Sequence, residues 1–217
     1  MLIVGAKGFA KEVLEILFQL NDVEEILFYD DLSHDLPIQL FDKFPILRNL
    51  EDVKKVFHSD NRFTLGIGGP VNRYKLTNKF FEIGGLLTST ISPEANIGHF
   101  GNVIGNGVNI MTGTVVTNNV KIGNGVLINL NCTVGHDCVV GDFVEMSPGV
   151  HISGNCSIGD FSNIGTNSAI LPNINIGKNV VVGAGAVVTK DVPDNCLVVG
   201  VPASIKKMLP EINLLKE

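Results

Sequence analysis

The sequence lacks an excess of basic charge. Its 16 lysines and arginines stand against 22 aspartates and glutamates, a formal net charge of −6 at pH 7. No basic stripe and no aromatic–basic cluster appears, so nucleic acid is not an expected partner. Nor is there a run of about 18 apolar residues, which rules out a membrane-spanning helix. The opening Met-Leu-Ile-Val-Gly lacks the charged segment and cleavage site of a secretory leader, so a cytoplasmic protein is expected. Cysteine is scarce. Three of the four cysteines, Cys132, Cys138 and Cys156, occupy core-type positions of a repeat described next, so they read as small buried hydrophobes and not as a disulfide framework.

What the chain has instead is a six-residue beat. From Ile104 through Ile110, Val116 and Ile122 to Val188, every sixth residue is aliphatic, fifteen times in succession. Neither a 3.6-residue helix nor a meander of ordinary strands repeats this way. A parallel β-helix of hexapeptide turns does, with three hexapeptides to a triangular coil and about five coils stacked. Glycine follows the lattice residue at eight turns, among them Gly105, Gly123, Gly135 and Gly183, which suits a tight bend or a positive φ. Four residues after each lattice position stands a small or branched side chain, from Val108 to Ala186, sized to fill a narrow prism. The period breaks at Asp191, and residues 191–217 read as a cap ending in a short helix near 204–215.

Residues 1–85 follow a different grammar. Apolar runs at 2–4, 25–29 and 63–67 alternate with helical spacing at 11–20, 50–57 and 72–83, which implies a parallel α/β sheet of Rossmann-like type. A short strand over 86–91 leads into the repeat. The expected division is therefore a Rossmann-like unit over 1–85 and a β-helix over 86–217.

Several residues stand where chemistry is possible. His136 follows the lattice pair Val134-Gly135 and so projects outward from a corner. A histidine beside a carboxylate, here Asp137, suits general-base work, because an amine or hydroxyl attacking a thioester must lose a proton. An ordinary surface histidine is the alternative, and the residues alone favour neither. Asn129 and Asn131, one hexapeptide earlier and read as near the same corner, fit substrate contact or a polar ladder equally well. The Gly5-Ala6-Lys7-Gly8-Phe9 loop joins the first strand to the first helix, where free amides attract phosphate. Lys11 stands where a dinucleotide fingerprint needs its third glycine, so NAD is not favoured. Asp30 and Asp31 end the second strand, placed to bond a base or ribose. Gly66, Gly68 and Gly69 suit close approach of a ligand to the backbone. Turn chemistry alone is the competing explanation for these glycines. A metal lyase would need three convergent histidines. His99, His136 and His151 differ in lattice phase, so no metal is expected.

The lattice, the Gly135-His136-Asp137-Cys138 segment, the Pro148-Gly149 pair, the Val199-Gly200-Val201-Pro202-Ala203 ending and the preceding α/β unit together carry a resemblance. Over about residues 1–208 the chain resembles the sialic-acid O-acetyltransferase-like family of hexapeptide acyltransferases, in its nucleotide-sugar 4-N-acetyltransferase subgroup. The resemblance implies a left-handed β-helix, a homotrimer, and acetyl-CoA as co-substrate in the cleft between neighbouring helices. It implies His136 as the base with Asp137 beside it. It places a nucleotide-sugar diphosphate on Gly5, Lys7 and Gly8, with Phe9 standing where many relatives carry histidine. It puts acetyl-CoA near Thr166, Ala184 and Lys190, and near Glu145, where some relatives have a histidine. The implied reaction is acetylation of a UDP- or GDP-linked 4-amino-4,6-dideoxy hexose. A sugar O-acetyltransferase and a non-catalytic trimeric binding module remain the alternatives.

Overall fold

The structure is a computed structural model and describes residues 1–22 and 24–214. The chain opens with β1 (Leu2–Val4), α1 (Gly8–Gln19), β2 (Leu27–Tyr29), β3 (Gln39–Leu40), β4 (Phe44–Leu47), α2 (Leu50–Phe57), β5 (Arg62–Leu65), α3 (Pro70–Phe81) and β6 (Leu86–Leu87). These strands form one sheet in the order β3-β4-β2-β1-β5-β6, parallel except for the β3–β4 pair. β1 lies at the centre and is buried on both faces. Ile3 joins the apolar cluster under α1, while Leu2 and Val4 join the cluster under α2 and α3. That split is the two-residue period of a strand. Local chemistry sets the helix starts. Asn49 accepts a hydrogen bond from the Asp52 amide at 2.9 Å to cap α2, and Pro70 opens α3 with a φ already suited to a helix. β3 and β4 were not anticipated. They are short, and Pro45 within β4 masks the strand signal. The change of architecture falls between Leu87 and Thr90, because β6 still pairs with β5.

From Thr90 the chain winds into the expected parallel β-helix. Each lattice residue ends a two-residue strand, and from Val103 to Ile170 each strand pairs with one 18 residues on, as Ile110 does with Ile128 and Val134 with Ile152. Three faces result. The first runs from Thr90–Ile91 through Leu127–Ile128 and Glu145–Met146 to Cys196–Gly200. The second runs from Asn96–Ile97 through Thr133–Val134 to Val187–Val188. The third runs from Val103–Ile104 to Asn175–Ile176. The lattice residues and their partners four positions on fill one continuous interior, with Ile104 alone of the lattice partly exposed. All four cysteines are buried and free.

The corners work differently from the sequence-based expectation. The glycines after the lattice residues do not take positive φ. They are glycines because the next coil passes too close: a Cβ at Gly105 would meet Gly123 O at 2.6 Å, and one at Gly135 would meet Gly154 N at 2.6 Å. Positive φ falls two residues later, at every corner from Gly107 to Gly185. Glycine or asparagine fills most of these positions, the residue types that tolerate the left-handed region.

The cap is also corrected. Residues 204–208 are not helical. Cys196–Gly200 pairs in parallel with Val181–Val182 and then turns back on Ala203–Met208 as an antiparallel hairpin. The last coil presents a row of unpaired backbone groups, and a strand satisfies them where a helix cannot. The end of the expected helix, at 215, lies outside the described residues.

The α/β unit docks on the first face. Arg73 of α3 is fully buried and donates to Gly125 O at 3.0 Å, Ile67 O at 2.9 Å and Asn109 Oδ1 at 2.6 Å. Burial pushes its pKa down to about 10, with the Glu145 charge pulling the other way, so it stays charged at neutral pH. Asn109 Nδ2 in turn donates to Thr64 and Thr90. Beside this network Tyr74 meets Phe143 and Phe161 edge-on, and those two rings stack 5.7 Å apart. Both phenylalanines hold positive φ at corner positions, 54° and 59°. Bulky residues are strained there, and the Tyr74 contact stabilises what the backbone disfavours. Arg73→Met keeps the length but strands the Asn109 oxygen and two carbonyls. It is expected to cost about 3 kcal/mol of stability, read as a lowered urea midpoint.

Candidate active site

Two places in the molecule gather chemistry. The first is a cavity of about 580 Å³ at the carboxyl ends of β1, β2 and β5, where the strand order reverses. Ligands of open α/β sheets bind at such a switch point. Gly5, Lys7, Phe9, Asp30, Asp31 and Gly68 line it, which brings together most of the substrate residues expected from the sequence. Gly8 stands beside them as the first residue of α1, whose start has no capping side chain. Its first-turn amides are therefore open to an anion.

The far wall of this cavity is a loop after β2, and its order comes from specific bonds. Asp30 Oδ1 accepts from the amides of Leu32 at 3.2 Å and Ser33 at 2.8 Å. Asp31 accepts from Tyr29 Oη at 2.7 Å and Lys79 Nζ at 2.9 Å. Those two donors together hold the Asp31 carboxyl below the usual range against the opposing effect of its partial burial. Arg48 is the residue that sequence reading missed. Its guanidinium donates to four carbonyls of the loop, at Asp30, Ser33, Leu36 and Pro37, over 2.8–3.1 Å. Nothing in its local pattern marks it, because it sits after the overlooked β4.

The start of α3 borders the same cavity. Gly69 N donates to Glu145 Oε2 at 2.5 Å, and Gly68 packs against the same carboxylate. Glu145 thus reaches from the first face of the β-helix to the amino end of α3, a favourable place for negative charge.

The second place is the corner between the second and third faces. His136 stands there with its side chain 70% exposed, open to a reactant. Its Nδ1 lies 2.7 Å from Asp137 Oδ2. A carboxylate only accepts, so Nδ1 carries the hydrogen, and in the neutral ring Nε2 holds the lone pair. Asp137 is itself fixed. It occupies the left-handed corner position with φ of 60°, and Asn119 one coil below donates to its Oδ1 at 2.6 Å. That bond first, and His136 second, hold the Asp137 carboxyl below its ordinary range.

Residues 18 apart stack along a corner, and this sorts the remaining candidates. Lys190 stands three coils above His136 on the same corner, about 14 Å away at the spacing of paired strands. Thr166 and Ala184 stack on the other corner of the second face, linked by the Gly185 amide donating to Thr166 O at 2.8 Å. All three are exposed and border the second face, whereas Glu145 stands apart from them. Asn129 and Asn131 do not share the His136 corner. One hexapeptide is a third of a coil, so they belong to the preceding corner. There Asn129 Oδ1 bonds the Leu130 amide at 2.8 Å and Asn131 holds a left-handed turn. His151 lies on the second face with Nδ1 3.0 Å from Thr133 Oγ1. Among the described residues no three histidines, cysteines or carboxylates gather as a metal site. Burial raises the Cys132, Cys138 and Cys196 thiols, Cys138 to about 11.

Comparison with known proteins completes the picture. Residues 1–80 match the model of the PglD N-terminal domain, and residues 155–190 match the bacterial transferase hexapeptide (six repeats). The acetyltransferase domain of PglB from Neisseria gonorrhoeae is 32% identical, with a TM-score of 0.84, covering 94% of this chain and 98% of that one. The chain belongs to the sialic-acid O-acetyltransferase-like family of hexapeptide acyltransferases. WeeI from Acinetobacter baumannii is another similar structure, 35% identical with a TM-score of 0.85, covering 94% of this chain and 98% of that one. PerB from Caulobacter crescentus, solved with CoA and GDP-perosamine, is 29% identical with a TM-score of 0.84, covering 95% of this chain and 96% of that one. No match is found among curated protein sequences. In this member of the family, Arg48→Met is expected to speed hydrogen exchange of the Leu32 and Ser33 amides at least about tenfold, through local opening. Amides of β1 should keep their protection. Equal protection in the variant loop would mean that Arg48 does not order it.

Proposed function

We propose that this protein transfers acetyl from acetyl-CoA to the amino group of a nucleotide-linked amino sugar. One observation carries the reading: a nucleotide-sized cavity with an open helix start shares a chain with a histidine–carboxylate pair on an acyltransferase β-helix. The PglB domain has been solved with acetyl coenzyme A, and PerB with CoA and GDP-perosamine, which supports the same pair of substrates here. The sugar is a 4-amino-4,6-dideoxy hexose, carried on UDP or GDP.

The diphosphate goes to Gly5, Lys7 and Gly8 at the start of α1. The start of α3 already holds the Glu145 carboxylate, which repels a second anion. Asp30 and Asp31, held by the ordered loop, face the nucleoside end. Acetyl-CoA lies along the second face, between Thr166 and Ala184 on one edge and Lys190 on the other.

The reaction needs no covalent enzyme intermediate. The sugar amine attacks the thioester carbonyl carbon, and the tetrahedral adduct expels the CoA thiolate. His136 Nε2 takes the proton that the nitrogen must shed and returns it to the departing sulfur. Asp137 holds the ring in the tautomer that makes this possible and stabilises the imidazolium. Orientation of amine, carbonyl and base supplies the rest.

A homotrimer is part of this reading, and the same geometry supports it. The α/β unit covers the first face, and His136 stands at the corner opposite that face. An amine held in one chain's cavity therefore meets His136 of another copy, in the cleft where the resemblance puts acetyl-CoA.

Purified protein with acetyl-CoA and a UDP- or GDP-linked 4-amino sugar is expected to release free CoA. His136→Ala should lower kcat at least about a hundredfold with folding intact. Turnover on free sialic acid but on no nucleotide amino sugar would instead make the protein an O-acetyltransferase.

A further inference from the structure

His136 is exposed, yet its ring is not free to lie anywhere. One coil above it on the same corner stands Gly154. A Cβ placed on Gly154 would fall 2.5 Å from His136 Nε2, 2.6 Å from Cε1 and 3.0 Å from Cδ2. Three atoms of one ring at those distances mean that the imidazole lies across the bare Cα. The ring atoms are also the three nearest neighbours of that missing methyl.

Backbone conformation does not explain this glycine. Its φ lies outside the left-handed region, unlike the next residue, Asn155, with φ of 60°. An alanine at 154 therefore suits the backbone, and its nearest conflict is with the imidazole. Gly135 contributes from below, because its own missing Cβ lets the Gly154 amide nitrogen approach to within 2.6 Å of where that atom would be. The coil above is thus drawn down until Gly154 meets the ring. Asp137 holds the ring at Nδ1, and the Asn155 amide donates to the backbone His136 O at 2.8 Å, which ties the two coils together.

We propose that Gly154 is a positioning residue: its bare Cα is the seat that keeps the His136 imidazole on Asp137 with Nε2 directed at the corner. The proposal rests on the reading of His136 as the base. A side chain at 154 forces the ring to rotate away. Rotation of an exposed histidine leaves the fold untouched, but it breaks the 2.7 Å bond to Asp137 and misdirects Nε2. A displacement of about 1 Å in a catalytic group lowers a rate by up to about a hundredfold.

The test is Gly154→Ala, assayed beside Asp137→Asn and His136→Ala. In Gly154→Ala, kcat is expected to fall about tenfold to a hundredfold. KM for the nucleotide amino sugar and for acetyl-CoA should stay within about twofold, and the thermal midpoint should not move. Long-range nitrogen–proton NMR of His136 should show one Nδ1–H tautomer in the starting protein and a mixture in Gly154→Ala, as in Asp137→Asn. A wild-type kcat, or a lowered kcat with the wild-type tautomer pattern, overturns the proposal. The NMR result is independent of turnover. A protein with no transferase activity would sink the functional reading, while the spectrum would still decide whether Gly154 seats the ring.

Discussion

Everything in this molecule depends on how little room the β-helix leaves inside. Two side chains per hexapeptide must fit a narrow triangular interior, so only aliphatic and small residues serve, and they must recur every six positions. The corners follow from the same constraint. Coils stacked at strand spacing, about 4.8 Å, leave no space for a Cβ where one corner passes beneath the next. They also require a left-handed residue at each turn. With the interior and corners committed, the outward positions are the only ones free to carry function. His136 and Asp137 take two of these in succession, and the fold holds the second of them. The αL backbone and Asn119 fix Asp137 before any substrate arrives, so the tautomer of His136 is set by the scaffold.

The α/β unit meets this scaffold through polar contacts more than apolar ones. A buried guanidinium without a carboxylate in direct contact is costly, and here three oxygens offset that cost. Such a network tolerates no slippage, because a shift of a residue in either direction leaves donors or acceptors unpaired in a dry interface. α3 carries both halves of the arrangement. Asn72 and Leu76 line the cavity, while Arg73 and Tyr74 grip the β-helix. Position of the cavity relative to the coils is therefore set by one helix.

How much of this was legible beforehand varied with the kind of physics involved. The interior was legible because a steric period in sequence is a steric period in space, and Ile110 through Val188 all proved buried. The cavity loops were legible because strand–glycine–helix order has few structural meanings. Relations across coils were not. A spacing of six looks close in sequence and suggests Asn129 beside His136, although only a spacing of 18 brings residues together on one corner. Glu145 looked like one more outward position on the coils. Its partner, Gly69, is 76 residues earlier and belongs to another unit. Arg48 acts on backbone carbonyls, which carry no sequence signal at all. The cap misled for a related reason: Ile205 and Met208 have helix-like spacing, but the final coil's open edge recruits them as a strand.

Exposure of His136 has a consequence for how the family's chemistry can work on this fold. In water, an imidazole beside a carboxylate is a weak device, since solvent screens the pair and competes for both groups. It becomes effective when bound reactants displace that water and lower the local dielectric. The scaffold therefore supplies geometry in advance, and the bound reactants supply the environment. Asn118 below and Gly154 above leave the ring open to those reactants, while the exposed Phe100 and Leu171 stand further along the same corner.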